Sequence, residues 1–219
     1  MSYASHAGIP NPLALAAVIG IVFATLFGEG LRGTASVPPS RMEQFGGHDA
    51  ALAPSDPVQG PAAGDVVPLF AGYVAEPQAS YDITALVLER RNYRVGVSAR
   101  VAPMDFVLGW GEMSNPALVD RLDIRQGGRF GYIRAQDPAA VDVLRLGSKW
   151  ANTHIVPAND AVRAQLETVS SGRLVRMTGH LVDVYSARKR FQWRTSTSRR
   201  DRGNGACEII LVETVEFLD

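Results

Sequence analysis

The stretch RLVRMTGHLVDVY, residues 173–185, decides how the second half of this chain folds. Its side chains alternate through Leu174, Arg176 and Thr178, and again through Leu181 and Asp183. That is the period-two pattern of a strand with unlike faces. Gly179 interrupts it in the middle. A glycine inside a strand marks a bulge or the sharp bend of a small barrel.

Working outward, PANDAVRAQLETV at residues 157–169 predicts the clearest helix. Asn159 or Asp160 can cap it, Val162, Leu166 and Val169 recur at helical spacing, and Gly172 ends it. Downstream, FQWRTSTS (191–198) and CEIILVETVEFL (207–218) have strand character. Upstream, residues 83–101 predict strands joined around Arg90-Arg91-Asn92, and residues 104–113 another strand. Ser114-Asn115-Pro116 opens a short helix that ends by Gly127-Gly128, and RFGYIRA (129–135) reads as a strand. Residues 140–157 fit helix or strand. Short, β-rich segments with two brief helices imply an α+β domain around a strongly bent sheet. A partly open barrel of the oligonucleotide/oligosaccharide-binding (OB) type is one specific form of it.

The N-terminal part is different in kind. Residues 9–27, IPNPLALAAVIGIVFATLF, carry no Asp, Glu, Lys or Arg. As a helix they would reach about 28 Å, close to the thickness of a bilayer's hydrocarbon core. Two readings compete, a retained anchor and a cleaved export signal. Residues 1–11 lack Lys and Arg, and the small-residue site Gly33-Thr34-Ala35 lies well past the apolar run. Both points favour the anchor. Residues 1–8 are then a tail, 9–28 a single transmembrane anchor (or uncleaved signal), and 33–68 a flexible Pro/Ala-rich tether, with the globular domain at 69–219. The expected location is a bacterial-type inner membrane, with the lipid bilayer as the first partner. Arg32 and Arg41 follow the run and none precedes it, which by itself places the domain in the cytoplasm. The long tether resembles spacers that hold a domain off an envelope membrane and argues for an extracytoplasmic domain.

Composition removes several classes of function. The 219 residues carry zero net charge, which argues against bulk attraction to nucleic acid. A single cysteine rules out an intramolecular disulfide framework. The four histidines are scattered without metal-ligand spacing, and His48 in the tether reads as solvated. No phosphate loop, nucleophile elbow or dinucleotide fingerprint is present, so neither metal nor cofactor is expected.

The densest chemistry lies in RKRFQWRTSTSRRDRGNGACE, residues 188–208, with seven basic residues and two aromatics. Trp193, Arg194, Arg199 and Arg200 suit an anionic ligand: single-stranded nucleic acid, a phospholipid headgroup or an acidic glycan. The competing reading is a solvated hairpin tip whose arginines pair with the domain's own carboxylates. Gly203-Asn204-Gly205 is a strong turn in which Asp201 can accept backbone N–H bonds. Cys207 becomes a nucleophile if His154 or His180 lies beside it, with Asp183 or Asp201 to orient the ring. Otherwise it is a small buried apolar group. Trp150, Asn152 and His154 alternate onto one face if extended, a candidate small-anion pocket. The pairing of ANTHIVPA (151–158) with SRRDRGNGACE (198–208) is similar to segments of bacterial envelope proteins, and that resemblance implies no activity. The favoured expectation is a membrane-anchored envelope protein that binds an anionic ligand or a partner protein. The alternatives are a thiol hydrolase or transferase using Cys207 and His154, and a nucleic-acid-binding OB-like domain.

Overall fold

The computed structural model describes residues 50–186, 190–201, 203 and 205–218. Short strands β1 (Val58–Pro61) and β2 (Val67–Pro68) precede the long β3 (Tyr73–Asn92). Next come helix α1 (Val97–Val101), strand β4 (Met104–Gly109), a 3-10 turn at Gly111–Ser114 and helix α2 (Pro116–Val119). A hairpin of β5 (Leu122–Gly127) and β6 (Phe130–Ala135) leads through a 3-10 turn at Arg145–Ser148 to β7 (Trp150–Pro157) and helix α3 (Asp160–Thr168). Strands β8 (Leu174–Ser186), β9 (Gln192–Trp193) and β10 (Glu208–Phe217) complete the domain. It is β-rich with few helices.

The pairings close on themselves. β3 pairs with β4, β4 with β7, β7 with β10, β10 with β8, and β8 again with β3. All are antiparallel except β7 with β10. Alternate side chains of these strands meet inside the ring: Tyr81, Ile83, Phe106, Leu108, Ile155, Met177, Leu181, Ile210 and Val212. Burying each large aliphatic side chain contributes about 1.5–3 kcal/mol, so this interior is the main source of stability. From α3, Val162 and Leu166 join the same cluster. Asn159 caps that helix, accepting from the Val162 amide at 3.0 Å. α3 follows the C-terminal end of β7, and β10 runs parallel to β7. Both strands therefore begin at the end of the ring away from α3, and that end carries the site described below.

The outer face is covered in two places. Leu122 and Ile124 of the hairpin, with Met113, pack against Leu86, Leu88 and Val107. Val101, Ala102, Phe70, Phe191 and Trp193 cover Val182, Val184, Ile209 and Leu211. β4 is consequently buried on both faces along its whole length, which is why MDFVLG reads as an almost unbroken apolar run.

Several sequence expectations change. β3 begins at Tyr73 and passes straight through Arg90-Arg91-Asn92, which end the strand rather than join two. VSARV forms α1 because burying Ala99 and Val101 on the outer face outweighs its β-branched preference. Asn115 caps a helix as expected, but α2 stops at Val119, since Leu122, Ile124 and Gln126 recur at period two and form β5. Residues 140–157 resolve into a 3-10 turn and a strand. Of FQWRTSTS only Gln192 and Trp193 pair, with β8. Residues 50–68, read as tether, join the domain: β1 and β2 cover an edge of β3, and Ala53 is buried in the core. The anchor at 9–28, the tether up to residue 49, Arg188, Lys189, Arg202 and Asn204 lie outside the described residues. No helix among the described residues is long and apolar enough to cross a membrane.

Gly179 is a point of close approach, as its place in β8 suggests. A Cβ there would sit 2.0 Å from the Leu211 carbonyl oxygen, beside the register shift between Val212 and Thr214. Backbone atoms cannot yield as a side-chain tip can. Gly179→Ala is expected to destabilise the domain by about 2–4 kcal/mol, measured by urea unfolding.

Candidate functional site

A pocket of about 450 Å³ opens at the end of the ring where β7 and β10 begin. β7 supplies Trp150, Ala151 and Asn152, the hairpin supplies Phe130, Gly131 and Tyr132, and Trp110 lies beneath. The segment before β10 supplies Ser198, Arg199, Asp201, Cys207 and, opening the strand, Glu208. Gly131 is needed for this wall: a Cβ there would meet Trp150, Asn152 and Val107 at 3.1–3.2 Å.

Local chemistry explains how the hairpin reaches the site. Gly127 pairs with Phe130, leaving Gly128 and Arg129 as a two-residue turn with φ of 57° and 71°. Two positive φ values match the twist of the flanking strands, and the second falls on a non-glycine residue. Arg129 is held there by what it touches. Its guanidinium lies 2.8 Å from Asp105 and donates to the Ala102 carbonyl at 3.0 Å. It also stacks over Tyr93 at 3.8 Å. Its own carbonyl accepts from Asn152 Nδ2 at 3.0 Å and from the Cys207 thiol at 3.8 Å. Gln126 Nε2 donates to Asn152 Oδ1 at 2.8 Å. One polar seam thus ties the hairpin tip to β4, β7 and Cys207, the residue before β10.

Arg199 enters from the other side, donating to the Pro57 carbonyl. Gln59 Nε2 donates to the Thr197 carbonyl at 3.2 Å, so the start of the domain braces this segment. Thr195 N donates to Asp183 at 2.9 Å, and Ile209 N donates to Thr195 Oγ1 at 2.9 Å.

At the floor sits Glu208, 5% exposed. Tyr81 Oη donates to its Oε1 at 3.1 Å and Thr153 Oγ1 to its Oε2 at 3.3 Å. Burial pushes its carboxyl up to about 7, against the opposing pull of those two bonds and of the Arg199 charge. Burial, and then the neighbouring Glu208 charge, raises Tyr81 well above the ordinary phenol range. Burial likewise pushes the Cys207 thiol up.

Of the residues singled out in the sequence, Trp150, Asn152, Arg199, Asp201 and Cys207 come together in this pocket. His154, Trp193, Arg194 and Arg200 do not line it. His154 is buried, its Nδ1 2.9 Å from Asp105, its ring 4.4 Å from Trp193. The hydrogen bonds of Cys207 go to Asn152, at 3.6 Å, and to Arg129. Asp201 accepts from Ser196 Oγ at 2.9 Å rather than orienting an imidazole. Arg194 and Arg200 are exposed. Among the described residues no three His, Cys, Asp or Glu side chains gather closely enough to hold a metal ion.

Sequence reasoning passed over Glu208, although a signal was present. It shares strand parity with Ile210 and Val212, so a carboxylate was bound to face the interior. Trp110, Phe130 and Tyr132 had no such signal, because only the folded hairpin brings them to β7. No protein-family model matches this chain, and no curated protein or solved structure is significantly similar to it.

Glu208 leaves a measurable trace on stability. Its folded value of about 7 lies above the ordinary 4.5, so between those values the native state holds a proton that the unfolded chain has released. Stability therefore falls as pH rises through that window and levels off above it. Glu208→Gln removes this dependence. From pH 5 to pH 8 it is expected to gain about 2 kcal/mol on the wild type, measured by urea unfolding at both values.

Proposed function

We propose that this is an OB-type domain that binds an anionic ligand in the pocket around Arg199, carried by a membrane anchor at 9–28. The observation that carries the reading is the meeting of Arg199, Trp150 and Asn152 in one pocket. The strand ring supports the OB assignment. β3, β4, β7, β8 and β10 serve as first to fifth strands, and the ring order runs first, second, third, fifth, fourth. OB folds bind on the face of their second and third strands and with the loops after the first and fourth. Here the third strand and the loop between fourth and fifth line the pocket.

Arginine with indole and phenol rings is a combination that grips a planar or sugar ring bearing an acidic group. Nucleic acid along an extended track is less well supported, because the pocket lining adds two carboxylates and the chain has no net charge. The thiol-hydrolase alternative is also less well supported. A nucleophilic cysteine needs its pKa lowered and a base beside it, whereas burial raises Cys207 and its hydrogen bonds go to Asn152 and Arg129.

Retention on a sulfated matrix tests the binding reading. Arg199→Ala is expected to weaken it about tenfold, the worth of one charge-assisted contact, and exposed Arg200→Ala to leave it nearly unchanged. The reverse ranking, with both variants folded by thermal melt, would sink the pocket as the anion site.

The Pro/Ala-containing residues 33–49 that remain ahead of the domain support a location outside the cytoplasm, in an envelope where the ligand or a partner protein would be met. A phosphatase fused after residue 219 is expected to be active in intact cells. An inactive phosphatase with an active cytoplasmic reporter at the same position would reverse the orientation.

A further inference from the structure

We infer that the pocket takes its anion together with a proton, accepted by Glu208 at the floor; this rests on the anion-binding reading above. One basic and two acidic side chains line the pocket: Arg199, Asp201 and Glu208. With Glu208 ionised, one positive group faces two negative ones and an entering anion is repelled. With Glu208 protonated, the charges balance, and the guanidinium, held by one bond to the Pro57 carbonyl, has its remaining N–H groups to offer a ligand.

Among the described residues, several titratable and polar groups surround Glu208. From β3 it meets the phenol of Tyr81, which burial keeps protonated, and from β7 the hydroxyl of Thr153. Cys207 immediately precedes β10 with its thiol pushed up by burial, and Asp105, whose charge also reaches Cys207, is paired with Arg129. Asp56 is held down by its hydrogen bond from Lys149, at 2.8 Å, and in smaller part by Arg199. Asp201 is exposed and bonded to Ser196. Glu208 is a buried carboxyl pushed up towards neutrality, and among the described residues the cation acting on it is Arg199. An anion on Arg199 cancels the charge that favours the ionised carboxylate, so anion binding and proton uptake reinforce one another.

The test uses the full-length chain in detergent and sulfate as the probe, because sulfate keeps its charge across neutral pH. Binding is followed by tryptophan fluorescence, Trp110 and Trp150 lining the pocket, at constant ionic strength. Sulfate is expected to bind about tenfold more tightly at pH 6 than at pH 8, the ratio of protonated Glu208 at the two values. Glu208→Gln should hold the tighter affinity at both. Tyr81→Phe, which removes a bond favouring the carboxylate, should move the midpoint to higher pH. Equal wild-type affinity at both pH values, a slope that survives Glu208→Gln, or a Tyr81→Phe midpoint that moves down overturns the proton link while leaving the anion site standing. No saturable sulfate binding at either pH overturns the anion site and the inference with it.

Discussion

Everything in this domain hangs on the double pairing of β3. Its first part runs against β8 and its last part against β4, with Leu86 paired to both. A strand that serves two neighbours along 20 residues must twist and bend to follow both, and it does so through register shifts between Pro77 and Ala79 and between Val87 and Glu89. Once β3 joins β4 to β8, the ring has no long free edge left. β1 and β2 take up the remaining stretch of β3.

Closure creates an inside and an outside, and the two receive different chemistry. Inside, apolar packing from Tyr81 to Val215 is interrupted at one end, where Glu208 is buried and accepts, among the described residues, from Tyr81 and Thr153. Burying a carboxyl this way costs free energy that its two bonds only partly offset. Such costs concentrate at binding and catalytic sites. Outside, the Asp105–Arg129 pair lies beneath the hairpin and fixes the wall of the pocket. Removing either partner would strand a buried charge, which is worth about 3–5 kcal/mol. The seam is therefore a positioning device: it sets where Phe130, Gly131 and Tyr132 stand.

Local signals in the chain specify the structure unevenly, and the unevenness has a physical cause. Asn115 and Asn159 cap helices as written, since a cap depends on residues within one turn. Gly179 marks a true constriction, because only a missing side chain admits the Leu211 carbonyl. Arg199, Asp201 and Cys207 were legible as a dense polar stretch, and Trp150 and Asn152 as an alternating face. By contrast, VSARV has strand composition and forms a helix, and residues 50–68 have linker composition and cover a sheet edge. In both, contacts from distant parts of the chain override the local preference.

By itself, then, the sequence determined the β-rich class, the caps, the glycine at the close approach of β8 to β10 and the dense polar stretch ahead of β10, since these depend on side-chain period and type over a few neighbours. Tertiary structure alone decided which of those residues share a pocket. Ring closure brought β7 beside β10, the Arg129 turn swung the hairpin onto them, and Pro57 braced Arg199 from 142 positions away. It also decided that Glu208, an ordinary carboxylate in the chain, becomes a buried acid poised near neutrality. Burial, which no local pattern carries, sets that property.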